Sequence, residues 1–541
     1  MEKKRLIFKY VILSLLIIWP LLKSGFVFAT DMSWSLEFNF PQKVDNYFLL
    51  NFVLYLLNMV FSSAFIQKAM LFLVFFLAGF SAYRLTYYLT ESRWSSLFAS
   101  FLYLFSPFLY SRIVFGQIWH CLAYALLPFL FYGLLKFINS LQWKDLIFTL
   151  IFWFLISQLS LHLFYISVFT VLILLVGSAF KKKNQPRLKK YLLKSLILIL
   201  AVVIVNLYWL IPFTFGDSEK NQRIQGFDWQ HNLAFSTDPG NTHVLLNALG
   251  MHGFWAEKTG FYLPVNEFNP FWWVIFGLIF LFVVWGVIVG WKNKKHKPSS
   301  VGFLVIGILA LILGVGSAFA PFEALVKLLN KYVPFYQGLR EPQKWLAFLA
   351  IVYLYFGSIG VKQAENYFKK INKTWLVGLI VVLPLVYNPL MFNGFRGQLS
   401  TANYPAEWYE VKKIIDQDED DFNVLALPWH GYMSFDFLED RVTANPFCRF
   451  LEKDNYCGDN MEVGGIYSSS TRPFSLFWER DILGKTDQIR DLGEKLSKWD
   501  IKYIILLKEV DWSKYAFVQN QKNLKNIFDN QVLQIWKNNA Y

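Results

Sequence analysis

The chain has 541 residues, of which 55% are hydrophobic, 19% aromatic and only 17% charged. Soluble proteins average about 45–50% apolar and about 25% charged residues, so this composition excludes an ordinary soluble globular protein and indicates a polytopic membrane protein. The net charge of +14 lies mainly in short loops between apolar runs. That pattern follows the positive-inside rule and does not indicate nucleic-acid binding.

The first membrane helix is predicted within Leu6–Asp31, a long apolar run behind a basic N-terminus. A helix needs about 20 apolar residues to cross a hydrocarbon core, and basic residues keep their end in the cytoplasm. Asp31 is therefore expected on the outer side, with Glu37 and Asp45 in the same loop. A cleaved signal peptide is the alternative, because Val27-Phe28-Ala29 resembles a cleavage site. The length of the run and the many later spans favour an anchor.

The apolar runs predict about 11 membrane-spanning helices. Phe48–Ser62 is short and amphipathic, which favours a helix lying in the membrane interface. Residues 145–180 are too long for one crossing, and the polar segment Ser157–His162 predicts a hairpin of two helices. The remaining predicted spans are Ile66–Leu89, Ser95–Tyr110, Cys121–Ile138, Tyr191–Phe215, Phe271–Trp291, Val301–Ala320, Trp345–Val361 and Trp375–Phe392.

Three basic loops, Lys181–Lys190, Lys292–Lys297 and Lys362–Lys373, are expected in the cytoplasm. Alternation of the spans then places the N-terminus inside and the C-terminus outside a multi-pass protein of the plasma membrane. The predicted transmembrane domain covers residues 1–393, with outer-face loops 30–65, 216–270 and 321–344.

Residues 394–541 contain 18 Lys and Arg against 23 Asp and Glu, a net charge of −5 that leaves +19 for the rest of the chain. They predict a soluble, extracytoplasmic α/β domain of ordinary size. Its predicted helices are Pro405–Asp416 and Asp487–Lys498, and its strands are Asn423–Leu427, Ile501–Leu507 and Val532–Trp536. Cys448 and Cys457 lie close together in this domain, and the sequence leaves open whether they form a disulfide.

Candidate functional residues gather on the predicted outer side. Besides the three carboxylates of the first loop, they are Arg112, His120, His162, Arg223, Trp229, His231, Arg340 and Lys344. Pro342 is a favourable first residue of a helix, so Arg340 and Lys344 are expected at its outer N-terminus. Free backbone N–H groups and the helix dipole add to their charge there and predict an anion site. The alternative is that both cations anchor the helix at the interface.

A carboxylate beside cations on the outer face suits transfer of a group from a lipid-linked phosphate. Asp31 can accept the proton of an attacking hydroxyl, while cations stabilise the departing phosphate. Donor-phosphate binding is predicted for Arg340, Lys344, Arg112 and His120, and substrate binding for His162, Arg223, Trp229 and His231. The predicted spans lack central ionisable residues, which disfavours a transporter. No nucleotide-binding, zinc or serine-hydrolase motif is present in the sequence.

Seven motifs carry a family resemblance: Asp31, Arg112–His120, Asn206–Pro212, Leu339–Trp345, Tyr404–Trp408, Leu427–Trp429 and Trp499–Leu506. Together they resemble the GT-C class of membrane glycosyltransferases, in particular its YfhO-like and arabinofuranosyltransferase-like branches. The resemblance implies an all-α bundle with interfacial helices in the first outer loop. It also implies a polyprenyl-phosphate-linked sugar as donor and an acidic base, matched here by Asp31. Many members have a carboxylate pair near that position, whereas here Asp31 stands alone and Glu37 and Asp45 follow only further along the loop. The resemblance therefore leaves open whether a divalent metal is required.

The sequence thus predicts an integral membrane glycosyltransferase that moves a sugar to an envelope glycan or lipid acceptor. Asp31 is the first candidate for the catalytic base, with Glu37 or Asp45 second. The alternative is a non-catalytic or flippase-like membrane protein of envelope glycan assembly, because several relatives in the class have no assigned activity. The expected partners are membrane lipid, the lipid-linked donor and the acceptor, with no nucleic acid.

Overall fold

The computed structural model describes residues 2–182, 186–216, 218–238, 243–293, 297–371, 373–463, 466–468 and 472–541. Parts of the three predicted basic loops, at 183–185, 294–296 and 372, lie outside the described residues. Within the described part of the chain, 9 helices are long and apolar enough to cross a membrane. The bent pair Trp375–Tyr387 and Pro389–Arg396 brings the number to 10 if it forms one span. The chain is therefore a multi-pass membrane protein.

The helices up to the last span are α1 (Glu2–Ile18), α2 (Phe48–Asn58), α3 (Ser63–Thr90), α4 (Arg93–Leu104), α5 (Pro107–Phe115), α6 (Ile118–Ser140), α7 (Trp143–Leu159), α8 (Leu161–Lys182), α9 (Leu188–Phe215), α10 (Glu219–Gln225), α11 (Trp229–Ala234), α12 (Val244–Leu249), α13 (Val265–Phe268), α14 (Trp272–Lys292), α15 (Lys297–Val315), α16 (Ala320–Tyr332), α17 (Leu346–Lys370), α18 (Trp375–Tyr387) and the left-handed turn α19 (Phe392–Arg396). Short 3-10 turns at Trp19–Leu22 and Pro342–Trp345 extend α1 and precede α17.

The first membrane helix lies in the predicted apolar run, but its helical part ends at Leu22, so the last residues of the run before Asp31 are not helical. After Trp19–Leu22, Gly25 adopts a left-handed backbone (φ +90°) that lets the chain turn. Phe26–Val27 then form strand β1, which pairs antiparallel with β2 (Thr401–Ala402). The last apolar residues of the run are thus buried against protein instead of lipid.

The other predicted spans overlap helices of the structure, although α17 continues nine residues beyond the predicted end at Val361, through most of the predicted basic loop Lys362–Lys373. The predicted hairpin is confirmed as α7 and α8, which meet at Ser160. Of the 11 predicted spans, nine are long and apolar enough to cross a membrane, and the bent pair makes ten if it forms one span; the remaining one, α7, has 17 residues. α2 has 11 residues, in agreement with a helix too short to span.

Two central helices, α6 and α17, are buried over nearly all of their spanning residues. α14 packs backbone to backbone against α17 through Gly286 and Gly360. A Cβ atom at Gly286 would lie 1.8 Å from the Phe356 carbonyl oxygen, and one at Gly360 would lie 1.9 Å from that of Phe282. Small residues permit such close helix contacts within a membrane. These contacts fix α17, whose preceding turn carries Lys344.

The C-terminal region contains α20 (Ala406–Asp416), α21 (Pro473–Phe477), α22 (Leu492–Ser497) and the strands β3 (Asn423–Leu427), β4 (Tyr432–Phe435), β5 (Arg441–Ala444), β6 (Asn455–Tyr456), β7 (Met461–Val463), β8 (Ile466–Ser468), β9 (Ile501–Leu507), β10 (Leu524–Asp529) and β11 (Leu533–Asn538). One five-stranded sheet has the order β10-β11-β9-β3-β6, in which β3 runs parallel to both β6 and β9. β4 and β5 form a separate hairpin.

The predicted bounds of β3 and β9 agree with the structure, whereas the predicted helix Asp487–Lys498 is reduced to α22 because Ile489 has an extended backbone. Cys448 and Cys457 form a disulfide, with their Cα atoms 6.0 Å apart. Cys448 lies close to the first loop, because it lines the same cavity as Ser33, Trp34 and Ser35.

Candidate active site

The loop that carries Asp31 is held by backbone hydrogen bonds to two other elements, α5 and β5. The Asp31 N–H donates to the Phe115 carbonyl at 2.8 Å, and the Ala444 N–H of β5 donates to the Thr30 carbonyl at 2.7 Å. Gly116 ends α5 with φ +103°, and a Cβ atom there would lie 2.6 Å from the backbone of the same loop. Only glycine allows the α5–α6 turn to approach so closely. The backbone of Asp31 is therefore fixed by its surroundings.

The Asp31 carboxylate accepts two side-chain hydrogen bonds. Gln117 Nε2 donates to Oδ2 at 2.9 Å, and the Tyr432 hydroxyl of β4 donates to Oδ1 at 2.9 Å. Burial raises the pKa of Asp31, and these two hydrogen bonds partly oppose that effect because they stabilise the charged form. An oriented carboxylate with a raised pKa is suited to accept a proton.

Asp31 lines a cavity of about 680 Å³ between the first loop, α2, the α5–α6 turn, the α7–α8 break and the start of α17. Five of the predicted site residues line it together: Asp31, Glu37, His120, His162 and Lys344. The indole rings of Trp34 and Trp119 also line the cavity and stack with their centroids 5.6 Å apart. Arg449 of the C-terminal region adds an exposed cation. The volume is ordinary for a small-molecule site.

A continuous chain of polar contacts joins Asp31 to Lys344 behind the cavity wall. Arg112 Nη1 donates to Gln117 Oε1 at 3.1 Å and to Glu341 Oε2 at 2.7 Å. Lys344 Nζ lies 3.2 Å from Glu341 Oε1 and 3.2 Å from His162 Nε2. Because Gln117 also donates to Asp31, the carboxylate and the ammonium group have a fixed relative position.

This cluster has more positive than negative charge. Although burial alone would raise the pKa of Glu341, the cations Lys344, Arg112 and Arg340 hold it well below its usual value, so this carboxylate is charged. Burial lowers the pKa of Arg340 to about 10, which leaves it charged at neutral pH. The cluster therefore holds three cations, Arg112, Arg340 and Lys344, and only two carboxylates, those of Glu341 and Asp31. The excess positive charge favours an anionic ligand beside Lys344.

The rings of His120 and His162, which both line the cavity, lie 6.4 Å apart. His120 Nδ1 lies 3.0 Å from the Ser160 hydroxyl. Its buried Nε2 has no hydrogen-bond partner among the residues that the structure describes. A buried polar atom without a partner is costly, so this nitrogen is free to form a hydrogen bond with a ligand in the cavity.

Other predicted site residues lie outside this cavity. Asp45 forms a 2.6 Å ion pair with Lys220 and lines a separate cavity of about 320 Å³. Arg112 is fully buried behind the cavity and stacks on Phe254, with its guanidinium carbon 3.9 Å from the ring centroid. Arg112 is thus placed to hold Glu341 and Gln117 and has no direct access to a donor phosphate.

The remaining predicted residues lie in the loop of residues 216–270 or pack against it. Arg340 lies between the rings of Phe227 and Phe235, at 4.0 and 4.5 Å from their centroids, and does not line the cavity. The positive charge of Arg223 acts to lower the pKa of both Arg340 and Tyr432. His231 Nδ1 lies 2.7 Å from the Asp228 carboxylate in the N-terminal cap of α11, and Trp229 packs under Lys327. Their observed contacts are structural.

The sequence prediction missed four residues that shape the cavity: Gln117, Tyr432, Trp34 and Arg449. Gln117 lies inside the Arg112–His120 motif, which could have pointed to it. Tyr432 and Arg449 come from the C-terminal region, and no local sequence signal connects them to a loop that lies about 400 residues earlier. Only the tertiary structure brings them there.

A divalent metal was left open by the sequence. In the described residues, no group of three or more His, Cys, Asp or Glu side chains is close enough to hold a metal ion. The side chains around Asp31 therefore do not fit a metal centre built by the protein alone.

The fold is similar to cryo-EM structures of the arabinofuranosyltransferase AftD from Mycobacteria. The match has a TM-score of 0.64 at 10% identity and covers 99% of this chain and 40% of AftD. Two classes of an AftD point mutant match with TM-scores of 0.61 and 0.55 at 9% and 10% identity, again over 99% of this chain and 41% and 42% of theirs. The chain thus spans about two fifths of their length. No protein-family model and no curated protein sequence matches it. The likeness confirms the predicted GT-C-like fold.

Proposed function

We propose that the chain is an integral membrane glycosyltransferase that moves a sugar from a polyprenyl-phosphate donor to a hydroxyl of an envelope glycan or lipid. The observation that carries this proposal is the cavity in which Asp31 and Lys344 are linked through Gln117, Arg112 and Glu341. The proton acceptor Asp31 and the cation Lys344, which can stabilise an anion, then face the same cavity. The shared fold with an arabinofuranosyltransferase supports the same reaction class.

In the proposed reaction, Asp31 accepts the proton of the acceptor hydroxyl while that oxygen attacks the anomeric carbon of the donor sugar. The bond between this carbon and the phosphate oxygen breaks, and its electron pair leaves with the polyprenyl phosphate. Lys344 stabilises the negative charge that develops on the phosphate. The partly exposed ring of Trp119, which stacks on the buried Trp34, offers an apolar surface against which a sugar can pack.

We place the cavity on the outer face, with residues 1–393 as the transmembrane domain and 394–541 as an extracytoplasmic domain that contributes Tyr432 and Arg449. The basic loops at the opposite ends of the spans support this orientation. A reporter that is active only outside the cytoplasm should therefore work when fused after Lys502 and fail when fused after Lys190. The reverse pattern would contradict the orientation.

The direct test is sugar transfer by the purified full-length protein from a polyprenyl-phosphate-linked donor in detergent or lipid. The proposal expects the release of polyprenyl phosphate together with a glycosylated acceptor. Binding of donor and glycan without turnover, across a range of sugars, would instead support the non-catalytic alternative in envelope glycan assembly.

A second test concerns pH. Since Asp31 must be charged to accept a proton, transfer should be lost as the pH falls through its raised pKa, at a higher pH than for an ordinary carboxyl. The Tyr432 hydroxyl stabilises the charged form, so Tyr432→Phe should raise the pKa further. We expect the acid limb of kcat/KM to move up by about one pH unit.

Tyr409→Phe provides the matched control, because Tyr409 is a half-exposed tyrosine of the same region that packs on Phe450 away from Asp31. Its acid limb should stay in place. A Tyr432→Phe variant with lower activity but an unchanged pH profile would mean that the hydroxyl does not act on the base.

A further inference from the structure

A small basic cavity lies far from the candidate active site. It has a volume of about 280 Å³ and lies where α3, α6 and α7 meet. His120, in the first turn of α6, lines the active-site cavity, whereas Lys136, near the last turn, lines the basic one. At 1.5 Å per residue, these positions are about 24 Å apart along the helix. The basic cavity therefore faces the opposite surface of the membrane.

The charges in this cavity are not balanced. Three cations, Arg84, Lys136 and Lys144, line it together with the single carboxylate of Asp145. Lys136 Nζ lies 3.3 Å from Asp145 Oδ1, and the same carboxylate accepts a hydrogen bond from the Ser140 hydroxyl at 2.5 Å. Among the described residues, neither Arg84 nor Lys144 has a carboxylate within 4 Å. The cavity therefore has a net charge of about +2.

Aromatic side chains line this cavity, so its cations lie in a formed pocket and are not simply basic side chains on an open surface. Phe129, Tyr132 and Phe148 line it. Lys136 Nζ lies 5.2 Å from the Tyr132 ring centroid. At Gly133, a Cβ atom would lie 2.8 Å from Phe148, so the close packing of α6 and α7 forms the floor. These contacts hold the cavity open between packed helices.

The apolar surface beside the cavity indicates what kind of anion fits. Lys144, Ile147 and Ile151 follow one another at the spacing of one helix face of α7. Ile147 is 51% exposed and Ile151 49% exposed. In a membrane, such a face contacts acyl chains. A cationic cavity that continues into an exposed apolar stripe therefore matches a ligand with an anionic head and a hydrocarbon tail.

We infer that this cavity binds the phosphate headgroup of an anionic phospholipid, in the leaflet opposite the active site. Arg84 and Lys144 contact the phosphate, and the acyl chains lie along Ile147 and Ile151. The cytoplasmic leaflet is rich in anionic lipids that basic pockets between membrane helices recognise. This inference does not depend on the proposed transferase activity.

The test uses the full-length protein in an uncharged detergent, titrated with phosphatidylglycerol or phosphatidylcholine, with bound lipid counted by native mass spectrometry. Phosphatidylglycerol should bind more tightly than phosphatidylcholine. Arg84→Gln and Lys144→Gln should each weaken its binding about fivefold. Lys370→Gln is the matched control, because Lys370 is an exposed lysine at the end of α17 on the same side of the membrane and lies outside the cavity.

Equal binding of the two lipids would overturn the inference, and so would the same loss in Lys370→Gln as in the cavity variants. Inorganic phosphate is a third arm of the experiment. If it displaced phosphatidylglycerol at concentrations similar to those of the lipid, the site would be one for free phosphate and the assignment to lipid would be wrong. Lys144 is exposed, so a folding defect does not complicate that variant.

Discussion

Asp31→Asn should reduce the turnover of sugar transfer by about 10²- to 10⁴-fold, the contribution usual for a positioned acid or base. The amide keeps the shape of the side chain and can still contact Gln117 and Tyr432, but it cannot accept the proton of the acceptor hydroxyl. Donor binding should change little, since Lys344 and the cavity stay in place. The measurement is single-turnover transfer together with donor affinity, which separates chemistry from binding.

The matched control is Asp45→Asn. Asp45 lies in the same loop between α1 and α2, but it pairs with Lys220 in a separate cavity, so its removal should leave turnover within a few-fold of the native value. Glu37→Gln is the second comparison, because Glu37 lines the same cavity from an exposed position. Full turnover in Asp31→Asn would contradict the assignment of the base, and a selective loss in Glu37→Gln would transfer that role to Glu37.

The helical bundle could be predicted well from the sequence because membrane helices satisfy their own backbone and show as long apolar runs. The same reasoning failed at Phe26–Val27, where an apolar segment forms a strand with Thr401–Ala402. Hydropathy reports burial, and it does not distinguish burial in lipid from burial against a distant part of the chain. The pairing partner lies far along the sequence, so no local pattern indicates the strand.

The candidate site was predictable only in part for a related reason. Lys344 was predicted because basic residues on the outer side run against the positive-inside trend, and Asp31 was predicted because a carboxylate combined with cations on that side suits group transfer from a lipid-linked phosphate. Arg112 and Arg340 were also selected as cations on the predicted outer side. The sequence does not show whether such a cation lines a cavity, is neutralised by a neighbouring charge or is enclosed by other side chains. Glu341 pairs with Arg112, and two phenylalanine rings enclose Arg340. These differences depend on side-chain contacts across the fold.

Replacement of Glu341 should strongly destabilise the fold. Its carboxylate is the ion-pair partner of Arg112, which is fully buried. Glu341→Gln would leave the Arg112 guanidinium without its counter-charge, and breaking a buried pair on one side typically costs about 3–5 kcal/mol. Unfolding of the purified protein by heat or denaturant should show this loss. Glu323→Gln is the control, since it breaks an exposed pair with Lys327 that is worth about 0–1 kcal/mol.

A double variant separates the buried charge from other effects of the substitution. If the unpaired guanidinium causes the loss, Glu341→Gln combined with Arg112→Gln should be more stable than the sum of the single variants, because no charge is then left uncompensated. Additive losses would mean that the two residues act independently. The double variant should also lose transfer activity, because Arg112 and Glu341 connect Gln117, and so the proton acceptor Asp31, to the cation Lys344. A stable double variant with native turnover would show that the cavity keeps its geometry without this chain of contacts.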